Sequence, residues 1–152
     1  MVFDQETTVA APVERVWEFL GDVPAMAVCL PGLEGLREEN GGYAGALKVT
    51  VGPITVKLEG RLRLESRDRE TWTTLLVIQA EDRRIRSSTS SRTTMRLVPN
   101  GDAETRLVVH TEAAVLGKLG QMGQAVLRKK SDQLLSQFVA NMAAALATAG
   151  PT

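Results

Sequence analysis

The most regular pattern in the chain lies near its middle. Across residues 54–66, Ile54, Val56, Leu58, Gly60, Leu62 and Leu64 alternate with Thr55, Lys57, Glu59, Arg61, Arg63 and Glu65. A period of two predicts a strand with one face buried and the other wet. The period lengthens toward the end of the chain. Residues 116–146 contain no proline, and at about 100° per residue Leu116, Gly120, Gly123, Leu127, Leu134, Phe138 and Ala145 share one side. Lys118, Gln121, Lys129, Asp132 and Ser136 share the other. This predicts an amphipathic helix of about eight turns, roughly 45 Å long. No other segment is long enough to partner it, so strands must cover its apolar side, since packing supplies most helix stability.

The remaining segments fit around these two. Residues 2–10 alternate loosely and predict a first strand. Pro12 suits a helix start, Val13, Val16, Trp17 and Leu20 then share a face, and Gly21 ends that helix. Residues 22–24 cap a second short helix, which Pro31 and Gly32 stop. Strands are expected over 33–38, 43–51, 54–66, 71–81, 85–98 and 104–115, with Asn40-Gly41-Gly42, Gly52-Pro53 and Pro99-Asn100-Gly101-Asp102 as turns. Short connections imply an antiparallel meander. The expected class is α+β: a curved antiparallel seven-stranded sheet around a long C-terminal helix, a helix-grip arrangement, with two short helices after the first strand. One domain is expected over 1–147, with 148–152 fraying.

Composition narrows the function classes. Formal charge is zero and aromatics are 4% of the 152 residues, which argues against a nucleic-acid binder with its basic excess and stacking rings. Cys29 is the single cysteine, so no intramolecular disulfide forms, as suits a reducing compartment. The opening MVFDQETT lacks the blocks of a secretion signal, and no apolar run approaches the ~20 residues that span a bilayer. The expected location is the cytoplasm, with peripheral contact at the inner face of the cell membrane left open.

Several words along the chain are distinctive: Trp17 in the first helix, Cys29-Leu30-Pro31-Gly32 after the second, Val51-Gly52-Pro53 leading to Leu58-Glu59-Gly60, the run from Gly117-Lys118-Leu119-Gly120 to Gln124, and Gln137-Phe138. In this order they resemble the G-subunit family of carbon monoxide dehydrogenase, within the START-like helix-grip (SRPBCC) superfamily. The resemblance implies an apolar cavity between helix and sheet that holds a small hydrophobic ligand such as a quinone or a lipid. It also implies an accessory role beside a molybdenum hydroxylase of carbon monoxide dehydrogenase type, in membrane recruitment or quinone handling. It supplies no catalytic residues, and no cofactor is expected. The chain departs from the family where relatives are glycine-rich after the fifth strand: residues 79–92 here read QAEDRRIRSSTSSR. The usual paired aromatic near the helix end is also Phe138 followed by Val139.

Particular residues refine the expectation. Arginines rarely point into a sheet, so along 85–98 the row Ile85, Ser87, Thr89, Ser91, Thr93, Met95 and Leu97 should face the helix, with Thr111 extending it. Unpartnered buried hydroxyls cost about 1–3 kcal/mol each. The row therefore either bonds backbone near a bulge or lines a cavity and takes the polar end of a ligand. Cavity walls are expected from Leu58, Gly60, Leu62, Val109, Thr111, Gly123, Leu127 and Phe138, and a gate from Cys29, Pro31 and Gly32. Gly120, Gly123, Lys130 and Asn141 are unusual on a helix's apolar side: they reflect either close sheet contact and snorkelling or a helix lining a hollow. Lys48, Lys57, Arg61, Arg63, Arg84, Arg86, Arg92, Arg96 and Arg106 are expected outward, in cross-strand pairs or as a docking face for an acidic protein or anionic lipid. His110 is predicted on the solvent side with Arg106 and Glu112 and makes a poor nucleophile pair with Cys29; histidine and thiolate ligands for a metal are lacking, and no clustered spacing suggests a carboxylate site. Two readings compete with the binder: a cavity hydrolase or cyclase, for which Lys130 is the available acid or base, and an interaction module without a ligand.

Overall fold

In the computed structural model, which describes residues 1–148, one antiparallel sheet has the strand order β1-β7-β6-β5-β4-β3-β2. Its strands are β1 (Val2–Val9), β2 (Leu33–Glu39), β3 (Gly42–Val51), β4 (Ile54–Asp68), β5 (Thr73–Asp82), β6 (Ser87–Asn100) and β7 (Glu104–Leu116). Helices α1 (Val13–Leu20) and α2 (Val23–Cys29) follow β1, and α3 (Gln124–Thr148) closes the chain. β1 pairs with β7, so the first and last strands of the chain lie side by side. The expected tail begins at Thr148, which is the last helical residue; residues 149–152 lie outside the described residues.

Local chemistry sets the boundaries. The Asp22 carboxylate accepts the Ala25 amide at 3.2 Å and caps α2. Asp82 ends β5 and caps a 3-10 turn over Arg83–Ile85, accepting the Arg84 amide at 3.1 Å. Arg86 follows at φ 50°, so β6 begins at Ser87 and not at 85. Trp72 sits at φ 54° in the β4–β5 turn, which moves the start of β5 from 71 to Thr73.

The largest correction concerns the terminal helix. Residues 116–123 are not helical. Leu116 ends β7 and is exposed, Gly117 and Gly123 adopt φ of 78° and 90°, and Gly120–Met122 is a single 3-10 turn. A Cβ on Gly120 would lie 2.4 Å from the Val115 carbonyl oxygen, and one on Gly117 1.8 Å from that of Arg86. These glycines build a tight crossing from sheet to helix, so they do not thin the helix's apolar face. α3 is therefore 25 residues long, roughly 37 Å. Ala145 is exposed, away from the buried side.

Most of the sealed core sits at one end. There Val9, Val16, Trp17, Leu20, Met26, Leu97, Leu107 and Met142 pack between the sheet, α1, α2 and the second half of α3. Trp17 meets Trp72 edge to face at 5.6 Å, and Phe19 lies 6.5 Å from Phe138. A bulge between Leu64 and Ser66 turns Arg67 onto the inner face, where its guanidinium stacks 3.7 Å from the Trp17 ring centroid and donates to the Trp17 carbonyl. A smaller cluster of Val51, Val56 and Leu119, with Leu127 and Met122 against it, closes the other end.

Candidate ligand-binding site

Between the two clusters the inner face of the sheet is neither sealed nor polar. Pairing places Gly45, Gly60, Ala80, Thr89 and Val115 in one row across five strands, and Tyr43, Leu62, Ile78, Ser91 and Ala113 in the next. Small residues crowd the centre of these rows. Leu47, Ile78 and Leu134 are half-buried and belong to neither cluster. Close-packed interiors leave few apolar side chains half wet beneath a covering element. A band of such half-buried side chains over small residues lies beneath α3.

The helix that spans it is anchored unequally. Gln124 donates to the Val2 carbonyl at 3.3 Å and Arg128 to the Asp4 carbonyl at 2.9 Å. The Gln5 amide reaches Ser131 at 3.2 Å and Asp132 at 2.7 Å. The first half of α3 is thus stitched to β1. No hydrogen bond joins α3 to β2 or β3 among the described residues. The second half is held by apolar packing, by Asn141 donating to the Cys29 carbonyl at 2.9 Å and by Arg15 donating to the Leu146 carbonyl at 2.5 Å. The seam between α3 and β3 is thus left unbonded.

The expected site residues separate into groups. Gly60, Thr89, Ser91, Thr93 and Thr111 are half-buried on the inner face of the band, and the Thr93 and Thr111 hydroxyls meet at 3.0 Å. Leu58 and Leu127 mark one end of the band and Leu62 and Phe138 the other. Ser87 is different: its hydroxyl is buried, accepts the Leu119 amide at 2.9 Å and holds the crossing turn. Val109 is sealed in the larger cluster. Gly123 is exposed at the start of α3, with no atom within 4 Å of a Cβ built on it. Cys29 is buried, which pushes its thiol pKa up, and the Gly32 carbonyl accepts the Lys48 amide at 2.9 Å. Asn141 thus ties the expected gate segment to α3.

Two polar contacts escaped the sequence pattern. Gln5 sits in an alternating strand, where nothing marks it as the residue that reaches the helix. Asp82 reads as an ordinary turn residue, yet its carboxylate accepts the Lys57 amide at 2.9 Å, which with Arg84 holds its pKa below the usual carboxylate range.

The outer face carries charge. Lys57 pairs with Glu34 at 3.4 Å, Arg61 with Glu39 at 3.3 Å, Arg92 with Glu65 at 2.9 Å and Arg106 with Glu6. Grooves of about 490 and 460 Å³ on this face are lined by mixed charges, including Glu34, Arg37, Lys57, Glu59, Glu81 and Arg83. His110 also lies here, its Nδ1 2.6 Å from the Asp4 carboxylate, which raises its pKa with help from Glu112. Buried Cys29 is remote from it in the fold, so the pair forms no dyad. Among the described residues no group of acids, histidine and cysteine can hold a metal, and no helix is long and apolar enough to cross a membrane.

A curved antiparallel sheet closed by a long terminal helix is the START-like helix-grip architecture. A conserved protein from Geobacillus kaustophilus superposes with a TM-score of 0.87 at 20% identity, over 97% of this chain and 96% of its own. The Zhui aromatase/cyclase of Streptomyces sp. R1128 gives 0.68 at 21%, over 100% and 99%. A START superfamily protein from Mycobacterium smegmatis gives 0.63 at 13%, over 97% of each chain. The family model for CoxG, the G-subunit of carbon monoxide dehydrogenase, matches residues 6–147, and the chain belongs to that family. No curated protein matches the sequence significantly.

Proposed function

We propose that this protein binds a small hydrophobic ligand, a quinone or a lipid, between α3 and the sheet without transforming it, and serves as accessory to a molybdenum hydroxylase of carbon monoxide dehydrogenase type. The observation that carries the reading is the half-exposed apolar band around Leu47, Ile78 and Leu134, floored by Gly45, Gly60 and Ala80. Apolar walls with a few polar groups at one end suit such a ligand, and the hydroxyls of Ser91, Thr93 and Thr111 supply that end. The band holds neither a carboxylate nor an imidazole for acid–base chemistry. Family membership supports the accessory role. Of the basic residues expected outward on the sheet, Lys48, Arg86 and Arg96 enter no ion pair among the described residues; with exposed Lys129 on α3 they are cations free to dock on the enzyme or on the inner face of the cell membrane.

Organic extraction of the purified protein followed by mass spectrometry tests the binding. Co-purified quinone or lipid is expected in the wild type. In Ser91→Phe, whose ring fills the band, at least a tenfold reduction is expected with the melting temperature little changed. An empty wild type that also fails to take up diphenylhexatriene would overturn the proposal.

A further inference from the structure

Along α3, Leu127 packs against the smaller cluster and Leu135 and Phe138 against the larger. Lys130, Ser131 and Leu134 lie between them, over the band. Ser131 faces β1, where the Gln5 amide reaches it. By helical spacing Lys130 lies about 100° or more round the helix from Ser131 and Arg128, on the side away from β1. Asn141, about three turns further along and on nearly the same side of the helix, points at the Cys29 carbonyl, which closes the far end of the α3–β3 seam.

Lys130 is half-buried, and its ammonium has neither an ion pair nor a hydrogen bond among the described residues. The polar side chains around the band, Gln5, Ser91, Thr93, Thr111 and Ser131, are all uncharged. An ammonium donates and never accepts. Its charge strengthens hydrogen bonds to oxygen, and its four-carbon stem can lie along Leu127 and Leu134 while the head stays at the mouth.

We infer that Lys130 is the specificity-determining residue of the hollow: it donates to an oxygen-acceptor head at the α3–β3 seam while the ligand's apolar body lies over Gly60 and Ala80. The inference rests on the ligand-binding reading and sharpens it. Two sources supply such a head, the carboxylate of a fatty acid and the carbonyl of a quinone.

Fluorescence titration of wild type, Lys130→Met and Lys130→Arg with three probes tests it. The probes are cis-parinaric acid, decylubiquinone and headless diphenylhexatriene. Lys130→Met keeps the apolar stem and removes the donor. It should weaken one of the two headed probes at least fivefold and leave diphenylhexatriene within twofold, while Lys130→Arg restores most of the loss. Loss confined to the acid assigns the head as a carboxylate, loss confined to the quinone assigns a neutral carbonyl, and loss shared by both shows that Lys130 serves any oxygen acceptor. Unchanged affinity for both headed probes, or an equal loss for diphenylhexatriene, overturns the role of Lys130. Unchanged diphenylhexatriene binding shows that Lys130→Met has folded. If no probe binds the wild type, the cavity reading fails together with this one.

Discussion

The two halves of α3 are the same kind of helix held in opposite ways. From Leu135 onward its inner side is apolar and sealed: Val139, Met142 and Leu146 are 7%, 0% and 8% exposed. Before Leu134 the side that meets β1 is polar, with Gln124, Arg128 and Ser131 bonded to that strand, while the side away from it carries half-buried Leu127 and Lys130. Burial stabilises roughly in proportion to the apolar area removed from water. A hydrogen bond contributes about 0.5–1.5 kcal/mol net. The second half therefore anchors the fold. The first half is fixed along one edge and left separable along the other, as the proposed binding of a ligand beneath it would need.

Substitutions that break this contrast should separate by size. Met142→Ala is expected to cost about 2–5 kcal/mol, the range for emptying a sealed core position. Leu134→Ala, already half wet, should cost only about 1 kcal/mol. Urea denaturation measures both, and equal losses would mean that the helix is packed alike along its length. Arg128→Ala removes one link to β1 and should cost about 1 kcal/mol. Its clearer sign is hydrogen exchange, with amides of the first half of α3 exchanging faster while those beyond Leu135 keep their protection.

The smallest effect lies on the outer face. The Asp4 and Glu112 carboxylates favour the charged imidazole, so the NMR titration midpoint of His110 should lie above the ordinary value of about 6.5. A folded pKa raised in this way contributes stability that is fully present below about pH 6.5 and is lost as pH rises through the folded value. Asp4→Asn should lower the midpoint and flatten that dependence, leaving ligand binding unchanged because His110 lies on the face away from α3.

The architecture was legible because its signals are periodic. Alternation in β4, turn residues between strands and Pro12, Asp22 and Gly21 around the short helices place nearly every element within a few residues. The misplaced start of the terminal helix has a clear cause. Gly117, Gly120 and Gly123 fall at helical spacing, and periodicity alone cannot distinguish a glycine inside a helix from one required by a turn. The inward row through Thr89, Ser91 and Thr93 was visible from the arginines opposite it. The separate duty of Ser87 was not, because its partner, the Leu119 amide, is distant in the chain.

The sequence by itself determined the order of strands and helices and the inner and outer faces of each strand. Those follow from local period and residue chemistry. Tertiary structure alone decided that Gly45, Gly60 and Ala80 align in one row, that two clusters stop short of each other, and that α3 is bonded to β1 along one side. Each of these depends on the register between segments far apart in the chain, where a shift of one residue would turn the small side chains outward and close the hollow.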